Sequence, residues 1–392
     1  MGELRHGERP RARDIGIHLG ILRPGRFNAI TDVAGVMVGH VTLMEGEGPL
    51  IPGSGPVRTG VTAILPHGGN LYREKVPAGA FVLNGFGKST GFIQVNEVGN
   101  LEAPIMLTNT LNVPLVADAV IEWTLLNNPD IGIRTGTFSP VVGEVHDGFL
   151  NDIQGRHVRK EHVFQAIANA RSGPVEEGSV GGGTGSSCMG FKGGIGTASR
   201  VLSESLGGYT VGVLVQTNVD GLLTINGAPV GREMGKYPFS QHFPYSIPEP
   251  QHPNGSLMVV VATDAPLDQR QLERMAKRVE LGLARTGFYS SNASGDFFLA
   301  FSVAGRVPHG ADRPLESRVV SNDSMSPLFL ATVEATEEAV VNSVLRATTV
   351  VGRDGNVREA IDIEELLRIL RKYNALEWDR TLPPWGGPAI SG

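Results

Sequence analysis

Short apolar runs separated by turn residues fill the chain from Ile15 to about Thr110. Val33–Val41, Gly60–Leu65, Gly79–Leu83 and Ala103–Leu107 are each of strand length and bounded by Gly, Pro or Asn, so they predict strands. The period then changes. Ala117, Val120, Ile121 and Leu125 recur at helical spacing and predict a helix over Leu111–Leu126, with a weaker helical pattern over Glu161–Arg171. Thr210–Gln216 (TVGVLVQ) is almost continuously apolar and rich in β-branched residues, as in a strand buried on both faces, and Leu222–Ile225 predicts a shorter strand. Residues 231–255 carry Pro238, Pro244, Pro248, Pro250 and Pro253, and regular structure is not expected to persist there. Order returns with the strand Ser256–Thr263. Asp264 is the expected N-cap of the next helix, with Pro266 in its first turn and Leu272, Met275, Ala276, Val279 and Leu283 on one face as far as Gly287. Phe297–Val303 predicts a strand, and Pro327–Arg346 and Glu364–Lys372 predict helices. Strands in runs with a few long helices between them, and no steady βαβα alternation or internal repeat, favour α+β layers over a doubly wound sheet.

Composition narrows the function classes. With 392 residues, 41% of them apolar, the chain has ample material for a core, as two to three domains or as one large sheet-based domain. The 52 glycines show no G-X-Y period, which excludes collagen. A net charge of −6 with scattered Lys and Arg gives no footprint for nucleic acid, so a small-molecule or peptide partner is expected. Cys188 is the single cysteine, which excludes an internal disulfide and multi-cysteine metal sites and suits a reducing compartment. No apolar h-region follows the first residues and no run of 18 apolar residues occurs, so the expectation is a cytoplasmic protein without membrane association, its residues 1–14 forming a loose polar arm.

Several familiar motifs fail. Gly85-Phe86-Gly87-Lys88-Ser89-Thr90 resembles the end of a phosphate-binding loop, but Val82 occupies the position of its first glycine. The histidines form no H-E-x-x-H, and neither S-x-x-K nor G-x-S-x-G occurs. Cys188 reads either as a nucleophile or, more commonly for a lone cysteine, as a small apolar side chain. It lies within residues 181–196, GGGTGSSCMGFKGGIG, where eight of sixteen positions are glycine. That density implies backbones approaching each other or a substrate, or else a linker; Met189, Phe191 and Ile195 argue against the linker.

The junction His252-Pro253-Asn254-Gly255-Ser256 carries two readings. In one, Asn254-Gly255 is a tight turn and Ser256 simply begins a strand. In the other, the chain breaks between Gly255 and Ser256: the serine hydroxyl attacks the carbonyl before it, and water hydrolyses the ester. Glycine there offers least resistance to the strained geometry. The break would free an α-amine of pKa about 7.7–8.0, able to take the proton of Oγ near neutral pH without a histidine.

The string NGSLMVVVATDAPL, the later Asn292-Ala293-Ser294-Gly295-Asp296, the glycine-rich GGGTGSSCMGFKGGIGTASR, V-Q-T-N at 215–218 and the opening ITDVAGVMVGHVT together resemble the L-aminopeptidase D-Ala-esterase/amidase and β-peptidyl aminopeptidase family. The likeness runs in order from Ile15 to Tyr373. It implies a four-layer αββα sandwich, similar to N-terminal-nucleophile hydrolases but differently connected, formed as a single domain over residues 15–392. It also implies autoproteolysis into chains 1–255 and 256–392 and a tetramer of the cleaved unit. The implied activity is removal of the N-terminal residue from peptides, amides or esters without metal or organic cofactor. By the same resemblance Ser256 is the nucleophile, Ser294 and Asp296 orient or assist it, Asn218 stabilises the oxyanion and Glu144 binds the substrate ammonium group. The spacing alone leaves Ser294 and Asp296 as a turn entering a strand, Asn218 as a strand end and Glu144 as a solvated carboxylate.

Phe149 departs from the pattern, because the family commonly has Tyr at that position. Two rivals remain: an acyltransferase of the ornithine acetyltransferase type, and a non-catalytic binding protein on the same fold. The preference among L-, D- and β-amino acids is open at this level.

Overall fold

The structure, a computed structural model, describes residues 8–242 and 255–384. Its layering follows from the strand Ser256–Thr263, in which every residue is buried. Side chains alternate across a strand, so a strand apolar at every position must be covered on both faces. Leu257, Val259 and Val261 pack in one apolar cluster and Met258, Val260 and Ala262 in another.

This strand is central in a seven-stranded sheet. The main order is Val307–Pro308, Glu74–Gly85, Gly295–Ser302, Ser256–Thr263, Thr210–Asn218, Ile195–Val201, with Asn100–Leu101 paired to Glu74–Gly85. The Ser256 and Gly295 strands are parallel, whereas the Ser256 and Thr210 strands are antiparallel. A second sheet, ordered Met37–Glu45, Val57–Leu65, Ile105–Asn109, Val141–Val145, faces it across the cluster holding Met258 and Val260. Helices Gln269–Arg285 and Ser326–Leu345 cover the outer face of the larger sheet, and Val113–Asn127 and Lys160–Ala168 cover the smaller. The order is helix, sheet, sheet, helix: the expected αββα sandwich. Among the described residues no helix is long and apolar enough to cross a membrane.

Several local expectations need correction. From Arg9 onward the arm is docked. Ala12 is fully buried with its N–H donated to Asn342 Oδ1 at 2.9 Å, while Arg11 donates to the Phe27, Asn28 and Thr197 carbonyls and Arg9 to those of Leu345 and Ile361. These guanidiniums find backbone carbonyls inside the fold, which polarity alone does not reveal. Residues 1–7 lie outside the described residues.

Leu222–Ile225 is not a sheet strand. Leu222 and Thr224 donate to the Gly287 and Thr286 carbonyls, so the segment runs beside the end of a helix, where Leu223 and Ile225 are buried. Asp264 does not cap the helix; it accepts from Thr210 N–H at 2.7 Å. The cap is Asp268, which accepts from Gln271 N–H at 2.7 Å while Gln271 accepts from Asp268 N–H at 3.2 Å. Within the proline-rich stretch Val230–Glu233 forms a helical turn and Ser240–His242 a 3-10 turn. Residues 243–254, including Asn254 and the expected Asn254-Gly255 turn, lie outside the described residues.

The first strand starts at Met37 rather than Val33, and the helix Phe92–Val98 and the strands Val141–Val145 and Ile195–Val201 were not foreseen. The last two are short or rich in small residues, and they form because neighbouring strands supply their ladders.

Candidate active site

Three adjacent strands of the larger sheet place the expected residues together. The antiparallel register sets Asn218 opposite Ser256, and the parallel register sets Ser256 opposite Gly295. Asn218, Ser256, Ser294 and Asp296, distant in sequence, thereby meet at one end of the sheet.

Ser256 is buried, and its Oγ turns back to donate to the Gly255 carbonyl oxygen at 2.6 Å. Beside it Ser294 Oγ donates to Asp296 Oδ1 at 2.6 Å, and Ser290 Oγ donates to Asp296 Oδ2 at 2.5 Å. Burial pushes the Asp296 carboxyl above the usual carboxylate range, and the two serine hydrogen bonds offset part of that shift. Asn84 fixes the serine loop, its Nδ2 lying 3.1, 3.2 and 2.6 Å from the Ser291, Asn292 and Ser294 carbonyls. Neither Asn84 nor Ser290 stood out in the sequence. The pairing of Asn84 with Asp296 across neighbouring strands is a tertiary fact.

Asn218 is held at both ends of its amide. Oδ1 accepts from Ser187 N–H at 2.8 Å and Nδ2 donates to the His146 carbonyl at 2.8 Å. Ser187 belongs to the glycine-rich segment, which a buried Lys192 ties down by donating to the Gly183 and Gly193 carbonyls at 3.0 and 2.5 Å. Cys188 in the same segment is fully enclosed, and burial pushes its thiol up to about 12, so it is an inert core side chain rather than a nucleophile.

Glu144 reaches the site through a close approach of glycines. A side-chain carbon at Gly87 would lie 2.9 Å from Glu144 Oε1, and one at Gly295 would lie 2.6 Å from Gly87 Cα and 3.3 Å from Ser256 Oγ. The loop that mimics a phosphate-binding motif thus packs its Gly87 against both Glu144 and the Gly295 strand next to Ser256. Glu144 is buried rather than solvated; Oε1 accepts from Lys88 N–H at 2.9 Å and Oε2 from the Thr110 hydroxyl. Burial raises its pKa, with Thr110 and Lys88 opposing. Phe149 is half-buried under the Arg358 guanidinium, 4.1 Å from its ring centre, and Arg358 in turn donates to Ser187 Oγ at 2.9 Å.

A buried serine heading a central strand of an αββα sandwich, with a hydroxyl–carboxylate pair on the parallel neighbour, suits a hydrolase that uses a serine nucleophile. The comparisons make that specific. The profile of peptidase family S58 matches residues 28–358. The β-peptidyl aminopeptidase BapA of Sphingosinicella microcystinivorans is 46% identical over 386 residues, 94% of each chain. The crystal structure of the PH0078 protein from Pyrococcus horikoshii OT3 is similar at a TM-score of 0.86 and 51% identity, over 93% of this chain and 99% of that one. The L-aminopeptidase D-Ala-esterase/amidase of Ochrobactrum anthropi, described as a prototype for the serine aminopeptidases and a variant of the Ntn hydrolase fold, gives a TM-score of 0.84 at 41% identity, over 94% of this chain and 99% of that one. The chain belongs to peptidase family S58 and is an aminopeptidase.

Proposed function

We propose that the chain is a precursor that cuts itself between Gly255 and Ser256 and then uses Ser256 to remove N-terminal residues from small peptides, aminoacyl amides and esters. The observation that carries the reading is the turn of Ser256 Oγ onto the preceding carbonyl, inside a buried strand end and beside the Ser294–Asp296 pair.

In the self-cleavage Oγ bonds to the Gly255 carbonyl carbon, the C–N bond to Ser256 breaks, and the hydroxyl proton passes to the departing nitrogen. An ester to Oγ and a free α-amine result. Water then hydrolyses the ester, leaving a carboxylate on Gly255. In catalysis the Ser256 α-amine takes the Oγ proton as Oγ attacks the substrate carbonyl and returns it to the leaving amine or alcohol, and water then hydrolyses the acyl ester on Oγ, releasing the amino acid and restoring the hydroxyl. Asn218 supports the oxyanion, a role worth ~3–4 kcal/mol in other hydrolases. Ser294, held by Asp296, orients Oγ, and Glu144 receives the substrate ammonium. Phe149 supplies no hydroxyl, so Asn218 and backbone N–H groups carry the oxyanion.

The name of the Sphingosinicella relative supports β-aminoacyl compounds as the substrate class. The enzyme works in the cytoplasm without nucleic-acid or membrane partners and with no metal or organic cofactor. It acts as a homo-oligomer, a tetramer of cleaved units, to which the exposed Ile121, Leu125 and Leu126 on helix Val113–Asn127 contribute apolar surface. The test is turnover of β-alanyl and L-alanyl p-nitroanilides. Wild type is expected to release nitroaniline from the β-alanyl compound and Ser256→Ala from neither; equal release by the two proteins would refute the assignment.

A further inference from the structure

Self-cleavage and catalysis pass through the same kind of ester on the same oxygen, so residue 255 is the first acyl group that Ser256 receives. The surroundings of Gly255 Cα are therefore the surroundings of the carbon next to the carbonyl in a substrate's acyl residue. This step rests on the reading of Ser256 as the nucleophile.

An atom placed where an L side chain would begin on Gly255 lies 3.1 Å from Ser294 Oγ and 3.5 Å from both the Asn218 carbonyl oxygen and Ser291 Oγ. For a methyl group this is a poor seat: the approach to Ser294 Oγ is tight, and three polar atoms would be covered by carbon. For an oxygen the 3.1 Å to Ser294 Oγ is at the edge of hydrogen-bonding distance, and a shift of about half an ångström brings it to Ser291 Oγ as well. Ser291 adds a second observation. Its Oγ is enclosed, yet finds no hydrogen-bond partner among the described residues. A buried hydroxyl without a partner is uncommon and costly, and this one faces the acyl position.

The geometry points to a subsite for a hydroxyl on the carbon next to the acyl carbonyl, and hence to α-hydroxy-β-aminoacyl compounds such as isoseryl amides as a substrate class. The substrate hydroxyl donates to Ser294 Oγ, whose own proton is committed to Asp296, and accepts from Ser291 Oγ. Ser291 is thus a specificity-determining residue for the α-substituent. The favoured enantiomer is the one whose hydroxyl takes the place of an L side chain.

The test compares kcat/KM for both enantiomers of isoseryl p-nitroanilide with the matching 3-amino-2-methylpropanoyl compounds, in wild type and Ser291→Ala, each first shown by intact mass to be cut. One isoseryl enantiomer is expected to exceed its methyl counterpart by about tenfold, and Ser291→Ala to shrink that advantage by roughly fivefold, the scale of one hydrogen bond. Equal turnover of the hydroxyl and methyl compounds by cut wild-type enzyme overturns the subsite, whatever the variant does. An advantage that Ser291→Ala leaves unchanged overturns the assignment to Ser291. A wild-type chain that stays uncut instead overturns the Ser256 reading on which the subsite rests.

Discussion

Gly255 and Ser256 make different demands on one peptide bond. In the proposed self-cleavage the serine hydroxyl reaches the preceding carbonyl, on whose oxygen it already rests, and the glycine would keep the approach clear, since a side chain there would begin 3.1 Å from Ser294 Oγ. Gly255→Val is therefore expected to slow self-cleavage by at least about tenfold, with the fold intact, because a branched side chain crowds the tetrahedral carbon formed in the attack by ~1.4 kcal/mol or more beyond its crowding of the planar peptide. Intact mass against time measures it; normal maturation would show that the cut does not need a glycine there. Asp296 makes a pH prediction. Burial raises its pKa, so as pH falls the carboxylate takes up a proton above the ordinary range near 4, and one of its two serine hydrogen bonds loses its acceptor. The acid side of kcat/KM should carry an Asp296 inflection above that range in addition to the limb of the Ser256 α-amine, and Asp296→Asn should remove that inflection while lowering kcat by roughly 10²-fold. At this scale the sequence held Ser256, Ser294, Asp296, Asn218 and Glu144 as motif members. It could not show Asn84 or Ser291, whose roles come from which strands and loops become neighbours.

The helix Ser326–Leu345 is apolar enough to be foreseen and charged where it is most buried. Its existence and length follow from the apolar pattern, but it is buried on nearly every side and carries Glu334, Glu337 and Glu338 into the core. Arg200, also fully buried, donates to Glu334 at 3.1 Å and to Glu338 at 2.8 Å, and Arg13 donates to Glu338 at 2.9 Å. These ion pairs tie the docked N-terminal segment and the edge strand Ile195–Val201 to the helix layer. Burial alone would raise Glu338, but Arg200 and Arg13 bring it down to about 2. A depressed carboxylate stabilises the fold above its unfolded pKa, and that contribution is lost as pH falls from about 4.5 towards 2. Glu338→Ala leaves Arg200 with less compensation and should cost ~3–5 kcal/mol, read as a lowered Tm at pH 7 whose gap from wild type narrows on acidification. A gap independent of pH would assign the loss to packing alone. The misplaced cap has a simpler cause: the Asp268-x-x-Gln271 capping box stood in the sequence, but Pro266 drew the helix start four residues too early.

At the scale of the molecule, the layered architecture was legible because strand runs and two-face apolar strands admit few packings. The pairing order was not, since it brings the Gly295 strand parallel to the Ser256 strand and leaves the Val141 strand to complete the facing sheet. The surplus of glycine was visible at once, but its use is a tertiary fact: Gly182, Gly183, Gly194 and Gly196 let backbones meet in the glycine-rich segment, and Gly87 lies against Gly295 beside Ser256. Light scattering after size exclusion is expected to give a tetramer of cleaved units; a monomer at working concentration would contradict the oligomer. Self-cleavage at Gly255–Ser256 is tested by the intact mass of freshly purified protein beside its Ser256→Ala variant. Wild type is expected to give two polypeptides, the second beginning at Ser256, and the variant one uncut chain. A single, uncut and fully active wild-type chain would contradict it.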